Sequence, residues 1–247
     1  MQLEFTKSRF MICEGEDDKA FLDTLIKSRG LPEFQISRAD ECNSKGIDGK
    51  GVGGRSGFKH SLSGFKPIVG YGGVRAILLV SDNDTKDSFS EVQKAFTECG
   101  HTAPSSPQAV GTIDGRPSAV LMIPSATTFG DLELLCLPEI HRVWPGAKSC
   151  IDAFMACTGS DKWRKQSSIN KTRARSAILG FHEDEPYRNI GNLFRKGLLD
   201  PSNTCFDAVA DFLRNFDTFV GIAPAGTVMP PSPIQQPLPT AQSGPGK

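Results

Sequence analysis

The sequence predicts an α/β fold, a four-stranded parallel sheet flanked by helices and followed by a helical extension. Three observations predict it. Short apolar runs alternate with segments of helical periodicity between residues 10 and 133. The run at residues 77–80 is uninterrupted and rich in branched side chains, and past residue 145 every periodic segment is helical. Strands that alternate with helices are typical of a parallel, doubly wound sheet.

The stretch 74–85, VRAILLVSDNDT, contains the strand around which the others are arranged. Its apolar run predicts a strand buried on both faces of the sheet. Asp82 and Asp84 follow at its carboxyl end, the edge where open α/β sheets bind ligands. Two carboxylates about 4 Å apart repel by roughly 4 kcal/mol at an effective dielectric near 20. Mg²⁺ or Mn²⁺ would offset that repulsion, whereas a solvated turn that caps the next helix is the alternative.

The remaining elements of the α/β part follow from the same patterns. Strands are expected at 10–13, 34–37 and 119–123, helices at 17–29, 58–65, 89–99 and from 130, and loops at 44–57 and 101–117. Glu14 follows the first strand directly, and Asp18 lies in the first turn of the helix after it. The helix dipole alone would favour Asp17 and Asp18, but it does not explain Glu14.

Beyond residue 145 we expect helices at 151–156, 169–181 and 205–216, and a disordered proline-rich tail from Pro224. The predicted domains are an α/β core at 1–145, a helical extension packed on it at 146–220, and the tail at 221–247. Basic side chains cluster in the glycine-rich loop and between the later helices. Those chosen as nucleic-acid contacts are Lys45, Lys50, Arg55, Lys165 and Arg173, although a solvated basic face is the alternative.

Composition narrows the classes of function. The formal net charge is zero, so bulk attraction to nucleic acid or to an anionic membrane is not indicated. The seven cysteines include no Cys-x-x-Cys pair, which favours reduced core residues and a cytoplasmic protein over a zinc site or disulfides. The amino end lacks an apolar signal-peptide region, and no apolar stretch reaches the length of a membrane span.

Two acidic motifs, each at the end of a predicted strand, carry a family resemblance. Residues 11–18 read Met-Ile-Cys-Glu-Gly-Glu-Asp-Asp, and residues 79–84 read Leu-Val-Ser-Asp-Asn-Asp. This arrangement resembles the Toprim domain, a Rossmann-like fold shared by topoisomerases, primases, small ribosomal-RNA maturases and OLD-family nucleases. Residues 8–217 look most like the small stand-alone bacterial Toprim-like proteins related to those nucleases. Gly130-Asp131-Leu132-Glu133 and the helix that bears Lys171 are similar to later motifs of that group.

The resemblance implies a divalent-metal site with Mg²⁺ or Mn²⁺ as cofactor. Glu14, Asp18, Asp82, Asp84 and Glu133 would be the metal ligands. Glu14 would be either a ligand or the general base, and Lys171 would stabilise the charge of the transition state. The predicted positions of these acids also favour a metal site, because carboxylates that converge on one sheet edge require a bound cation.

The leading hypothesis is therefore a metal-dependent nuclease that hydrolyses phosphodiester bonds of DNA or RNA, with a role in phage defence or DNA processing. Nucleic acid would be its partner. A second hypothesis is a non-catalytic Toprim-fold subunit that binds a protein partner in a defence or toxin–antitoxin system. A third is a phosphatase or nucleotidyl transferase that acts on small phosphates.

Overall fold

The computed structural model describes residues 3–42, 53–181 and 189–222. Five strands of these segments form one sheet in the order β2-β1-β3-β5-β4. The strands are β1 (Arg9–Cys13), β2 (Gln35–Arg38), β3 (Ala76–Asp82), β4 (Gly111–Ile113) and β5 (Arg116–Ile123). β2, β1, β3 and β5 run parallel, and β4 runs antiparallel to β5 at the edge. The fold is thus mixed α/β with a mostly parallel sheet.

Helices cover both faces of the sheet and form the carboxyl-terminal region. They are α1 (Glu16–Ser28), α2 (Ala39–Cys42), α3 (Gly57–Ser63), α4 (Ser88–Glu98), α5 (Leu132–Val143), α6 (Ala147–Thr158), α7 (Gln166–Phe181), α8 (Ile190–Arg195), α9 (Asp207–Arg214) and α10 (Phe216–Phe219). Within the described segments, no helix combines the length and the apolar composition that crossing a membrane requires. The proline-rich tail lies outside the described residues.

The edge strand β4 corrects the expectation of four strands and of a plain loop at 101–117. β4 pairs with β5 through the two-residue turn Asp114-Gly115, in which both residues have positive φ, 51° and 77°. Asp-Gly is a strong signal for this turn because glycine and aspartate tolerate positive φ. β4 has only three residues, however, so its alternation is too short to predict a strand.

The parallel strands separate two hydrophobic cores. On β3, Leu78 and Val80 enter one core, and Ile77 and Leu79 enter the other. Helices α1 and α5–α10 supply side chains to the first core, and α2–α4 supply the second. Burial of each such β3 side chain contributes roughly 2 kcal/mol. The helical extension therefore shares its core with the sheet.

The connections of the sheet place a crevice between β1 and β3. After β1 the chain passes through α1, on one face, to β2. It then returns through α3, on the opposite face, to β3 on the other side of β1. Strand order reverses between β1 and β3, and ligands of open α/β sheets bind at the carboxyl ends of strands at such a switch point. Glu14 and Asp82 lie at these two strand ends.

Candidate functional site: an acidic cavity at the β1–β3 edge

The strand register brings the two predicted acidic motifs together. Cys13, the last residue of β1, pairs with Val80 of β3, so Glu14 emerges beside Ser81. The hydroxyl of Ser81 donates to Oε1 of Glu14 at 2.6 Å, and the backbone N–H of Asp82 donates to the same oxygen at 3.1 Å. These bonds join the two motifs directly and orient the Glu14 carboxylate.

Two helix starts complete an acidic cavity of about 250 Å³ at this edge. Asp18 comes from α1, where its Oδ2 accepts the backbone N–H of Gly15 at 2.9 Å. Glu133 lies in the first turn of α5. The cavity is lined by Glu14, Gly15, Glu16, Asp17, Asp18, Asp82, Leu132, Glu133, Lys171 and Asn189. Four of the five predicted metal ligands therefore share one cavity with the predicted catalytic lysine.

Burial and mutual repulsion disfavour the charged forms of these acids. Burial, with the nearby charge of Glu14, raises the pKa of Asp18 to about 7. Burial and then the charges of Asp18 and Glu14 raise the pKa of Asp82 well above its usual range. Burial and the charge of Asp131 also raise the pKa of Glu133. The cavity thus carries more carboxylates than its own surroundings neutralise.

Among the described residues that line the cavity, Lys171 of α7 is the one cation. Burial opposes its charge, but the carboxylates of Glu133 and Asp82 outweigh that cost and raise its pKa. A lysine that stays charged beside an acid cluster can bind an anionic group that enters the cavity. The Toprim resemblance implies that Lys171 stabilises transition-state charge, and this role stays a prediction.

Asp84, the second acid of the Asp-x-Asp motif, has a different partner. The guanidinium of Arg55 donates to Asp84 Oδ1 at 2.7 Å and to the carbonyl of Asp82 at 2.9 Å. It also lies 3.4 Å from Glu14 Oε1 and 2.7 Å from Glu91 Oε2 of α4. Burial opposes ionisation of Asp84, but the Arg55 hydrogen bond and charge outweigh it, so the pKa of Asp84 is lowered. Arg55 thus neutralises one side of the site.

Asn83 accounts for the different surroundings of the two aspartates. Its backbone N–H donates to the carbonyl of Ile123 at 2.7 Å, and its carbonyl accepts the N–H of Gly130 at 2.8 Å. Its side-chain amide donates to the carbonyls of Ser125 and Thr128. The motif is therefore fixed to the loop that follows β5. Asp82 is held toward the start of α5, where its Oδ1 accepts the N–H of Leu132 at 3.1 Å.

The residues chosen from the sequence as nucleic-acid contacts are dispersed. Lys45 and Lys50 lie outside the described residues. Arg55 is engaged with the acids, and its side chain is only 13 % exposed. Lys165 is exposed and close enough to Asp84 to lower its pKa. Arg173 instead contacts Asp152 at 3.4 Å and lines a separate cavity of about 220 Å³ between α5, α6 and α7.

Three acids of the site were not chosen from the sequence. Glu16 lines the cavity and is paired with Arg38 and Arg195. Asp17 lines the cavity and accepts the N–H of Gly191 at 3.0 Å. Asp131 is fully buried, and its Oδ1 accepts from Leu134 N and from the amide of Asn170, whereas its Oδ2 has no hydrogen-bond partner. The signal for Asp131 was present, since an aspartate before an apolar periodic run is typical of a helix N-cap. The N-cap pattern does not predict that Asp131 lies close enough to Asp82 to raise its pKa.

The donor set fits a hard divalent cation. Every candidate ligand in the cavity is a carboxylate oxygen, the donor that Mg²⁺ and Mn²⁺ prefer. The raised pKa values of Asp18 and Asp82 show that added positive charge there would be favourable. As the described segments are arranged, no group of three Asp, Glu, His or Cys side chains stands close enough to hold a metal ion. Asp84 in particular is turned to Arg55.

Comparison with known proteins assigns the chain to a family without a described activity. The family described as "Protein of unknown function (DUF3226)" matches residues 8–217, from the start of β1 into α10. No curated protein and no solved structure matches the chain. The matched region includes every residue of the acidic cavity and most of the sequence. The chain therefore belongs to the DUF3226 family.

Proposed function

We propose that the chain is a Mg²⁺- or Mn²⁺-dependent nuclease with a Toprim-like fold that hydrolyses phosphodiester bonds of DNA or RNA in the cytoplasm. One observation carries the proposal: Glu14, Asp18, Asp82 and Glu133 surround a cavity at the switch point of a parallel sheet, with Lys171 on its wall. The two acidic motifs that resemble Toprim motifs end adjacent strands, which supports the fold assignment. The seven free cysteines support a reducing compartment.

The residues of the cavity have separate roles in this proposal. Asp18, Asp82 and Glu133 would hold the metal, and Asp84 would join them once Arg55 releases it. The bound cation would stabilise the charge on the attacking and leaving oxygens. Glu14, whose carboxylate accepts hydrogen bonds from Ser81 and from the Asp82 N–H, would take a proton from water. Lys171 would stabilise the additional negative charge on the phosphate.

Nicking of supercoiled plasmid with Mn²⁺ tests the proposal. Wild type should nick the plasmid, and Asp82→Asn should reduce the rate by at least about 100-fold, since removal of one metal-ligand charge weakens both binding and transition-state stabilisation. Asp23→Asn is the matched control, because Asp23 lies on α1 but is exposed and paired with Lys27. Equal nicking by wild type and Asp82→Asn would reject the nuclease.

Arg55 favours a second candidate, a non-catalytic subunit that binds a protein partner in a defence or toxin–antitoxin system. Arg55 already neutralises Glu14 and Asp84 in the manner of a structural cation. Isothermal titration with Mg²⁺ and Mn²⁺ separates the two candidates. A nuclease requires measurable binding that Asp82→Asn weakens, whereas the absence of binding to wild type favours the non-catalytic subunit.

A further inference from the structure

An exposed aromatic side chain lies beside the Asp-x-Asp motif. Phe129 is 60 % exposed, although its two neighbours are both fixed to Asn83. The carbonyl of Thr128 accepts from the Asn83 amide at 3.2 Å, and the N–H of Gly130 donates to the Asn83 carbonyl at 2.8 Å. Phe129 is therefore held close to Asn83, the middle residue of the Asp-x-Asp motif, with its side chain exposed to solvent.

A second exposed aromatic side chain lies in a basic segment near the same motif. Trp163 is 50 % exposed and stands between Lys162, Arg164 and Lys165, all of which are exposed. This segment leads into α7, whose Asn170 donates to Asp131 at 3.1 Å. Lys165 is close enough to Asp84 to lower its pKa. The segment therefore borders the site on the side of α7.

Exposed aromatic rings beside basic side chains are typical of surfaces that bind single-stranded nucleic acid. A positively charged surface follows the phosphate backbone, and unpaired bases stack on the rings. In a duplex the base faces are already stacked on one another, so rings of this kind favour single strands.

We infer that Phe129 and Trp163, with Lys162, Arg164 and Lys165, form a platform that binds single-stranded nucleic acid and leads it into the acidic cavity. We call these five residues the aromatic-basic rim. This inference rests on the proposed nuclease function and adds the substrate class, a single strand or an unpaired end. The rim supplies backbone contacts and base stacking without sequence readout, and the cavity supplies the chemistry.

Fluorescence anisotropy in EDTA tests the rim separately from cleavage. The probes are labelled oligo(dT) of about 12 nucleotides and a duplex of the same length. Wild type should bind the single strand more tightly, with affinity that falls as salt rises. Trp163→Ala and Phe129→Ala should each weaken oligo(dT) binding about tenfold, and Trp163→Phe should restore most of the loss, because a phenyl ring also stacks.

Phe154→Ala is the matched control, since Phe154 is 52 % exposed but lies on α6, outside the rim. Thermal melts would show that all four variants fold. The inference is overturned if the duplex binds as tightly as oligo(dT), or if the two rim substitutions affect binding no more than Phe154→Ala does. If the protein nicks plasmid but does not prefer the single-stranded probe, the rim is rejected and the nuclease stands. If it binds neither probe and does not nick plasmid, the nuclease is rejected as well.

Discussion

The guanidinium of Arg55 and the carboxylate of Asp84 form an ion pair at 2.7 Å at the edge of the acidic cavity. Both side chains are largely buried, 13 % and 18 % exposed. The same guanidinium contacts Glu14, so one arginine bridges the acids that follow β1 and β3. A divalent cation at Asp84 and Arg55 in its present position would compete for the same oxygens.

Removal of the Arg55 charge should therefore strengthen metal binding. We expect Arg55→Gln to bind Mn²⁺ about tenfold more tightly than wild type, equivalent to about 1.4 kcal/mol, because the metal no longer displaces a resident cation. Isothermal titration calorimetry measures the affinity. Arg9→Gln is the matched control, since Arg9 and Asp217 form a similarly buried pair at the opposite end of β1. Weaker Mn²⁺ binding by Arg55→Gln would show that Arg55 positions the acids instead.

Neutralisation of Asp82 should stabilise the metal-free protein while it abolishes cleavage. Burial and the neighbouring acids raise the pKa of Asp82, so its ionised form opposes folding. The amide of Asn keeps an oxygen that can accept the Leu132 N–H. We expect Asp82→Asn to raise the free energy of unfolding in EDTA by about 1 kcal/mol, measured by urea denaturation.

Asp217→Asn provides the opposite case in the same assay. Asp217 is paired with Arg9, so the loss of its charge should lower the free energy of unfolding. If Asp82→Asn destabilised the protein as Asp217→Asn does, the repulsion within the acidic cavity would be absent.

The contribution of Asp18 to the stability of the metal-free protein should fall as pH rises from about 4 to about 7. The pKa of Asp18 is raised to about 7 in the folded state from 3.8 in the unfolded chain. In that window the folded state binds more protons than the unfolded state, so increasing pH favours unfolding. Thermal melts in EDTA across this range should show a shallower decline for Asp18→Asn. An unchanged pH profile in that variant, matching exposed Asp23→Asn, would count against the raised pKa.

Lys171 should matter for turnover more than for metal binding. We expect Lys171→Met to reduce plasmid nicking about 100-fold, because a cation that stabilises transition-state charge is lost. Its Mn²⁺ affinity should be equal or higher, since a positive charge near Asp82 and Glu133 is removed. Nicking assays and calorimetry on the same preparation separate these effects. A fall in both nicking and Mn²⁺ affinity would instead make Lys171 a structural support of the site.

The sequence patterns were sufficient for most of the fold. The short apolar runs predicted β1, β3 and β5, and Gly30 and Gly100 marked the ends of α1 and α4, because burial and turn chemistry are local properties. The antiparallel strand β4 was missed, since three residues provide too little alternation. The predicted helix at 205–216 is divided into a 3₁₀ turn (Thr204–Phe206), α9 and α10.

The candidate site was harder to read from sequence than the fold. Acids directly after strands could be assigned to one sheet edge, which is how Glu14 and Asp82 were found. The partnership of Arg55 with Asp84 was not predictable, because it depends on how the residues just before α3 lie against the sheet edge, where the Gly54 N–H donates to the carbonyl of Glu14. Asp17 and Asp131 also escaped, since each has a local explanation as a helix-start residue and only the folded chain brings them to the cavity.

The ion pair between Arg9 and Asp217 joins β1 to α10, the last described helix. The two ends of the region that matches the family, residues 8 and 217, therefore lie close together. A linker between the segments that flank this pair, with the buried Phe5 and Val220 retained, would give a circular permutant whose new termini could be opened at Gly115, the exposed residue of the turn between β4 and β5. Such a circular permutant would keep Glu14 and Asp82 together at the acidic cavity, because the turn between β4 and β5 lies at the sheet edge away from β1.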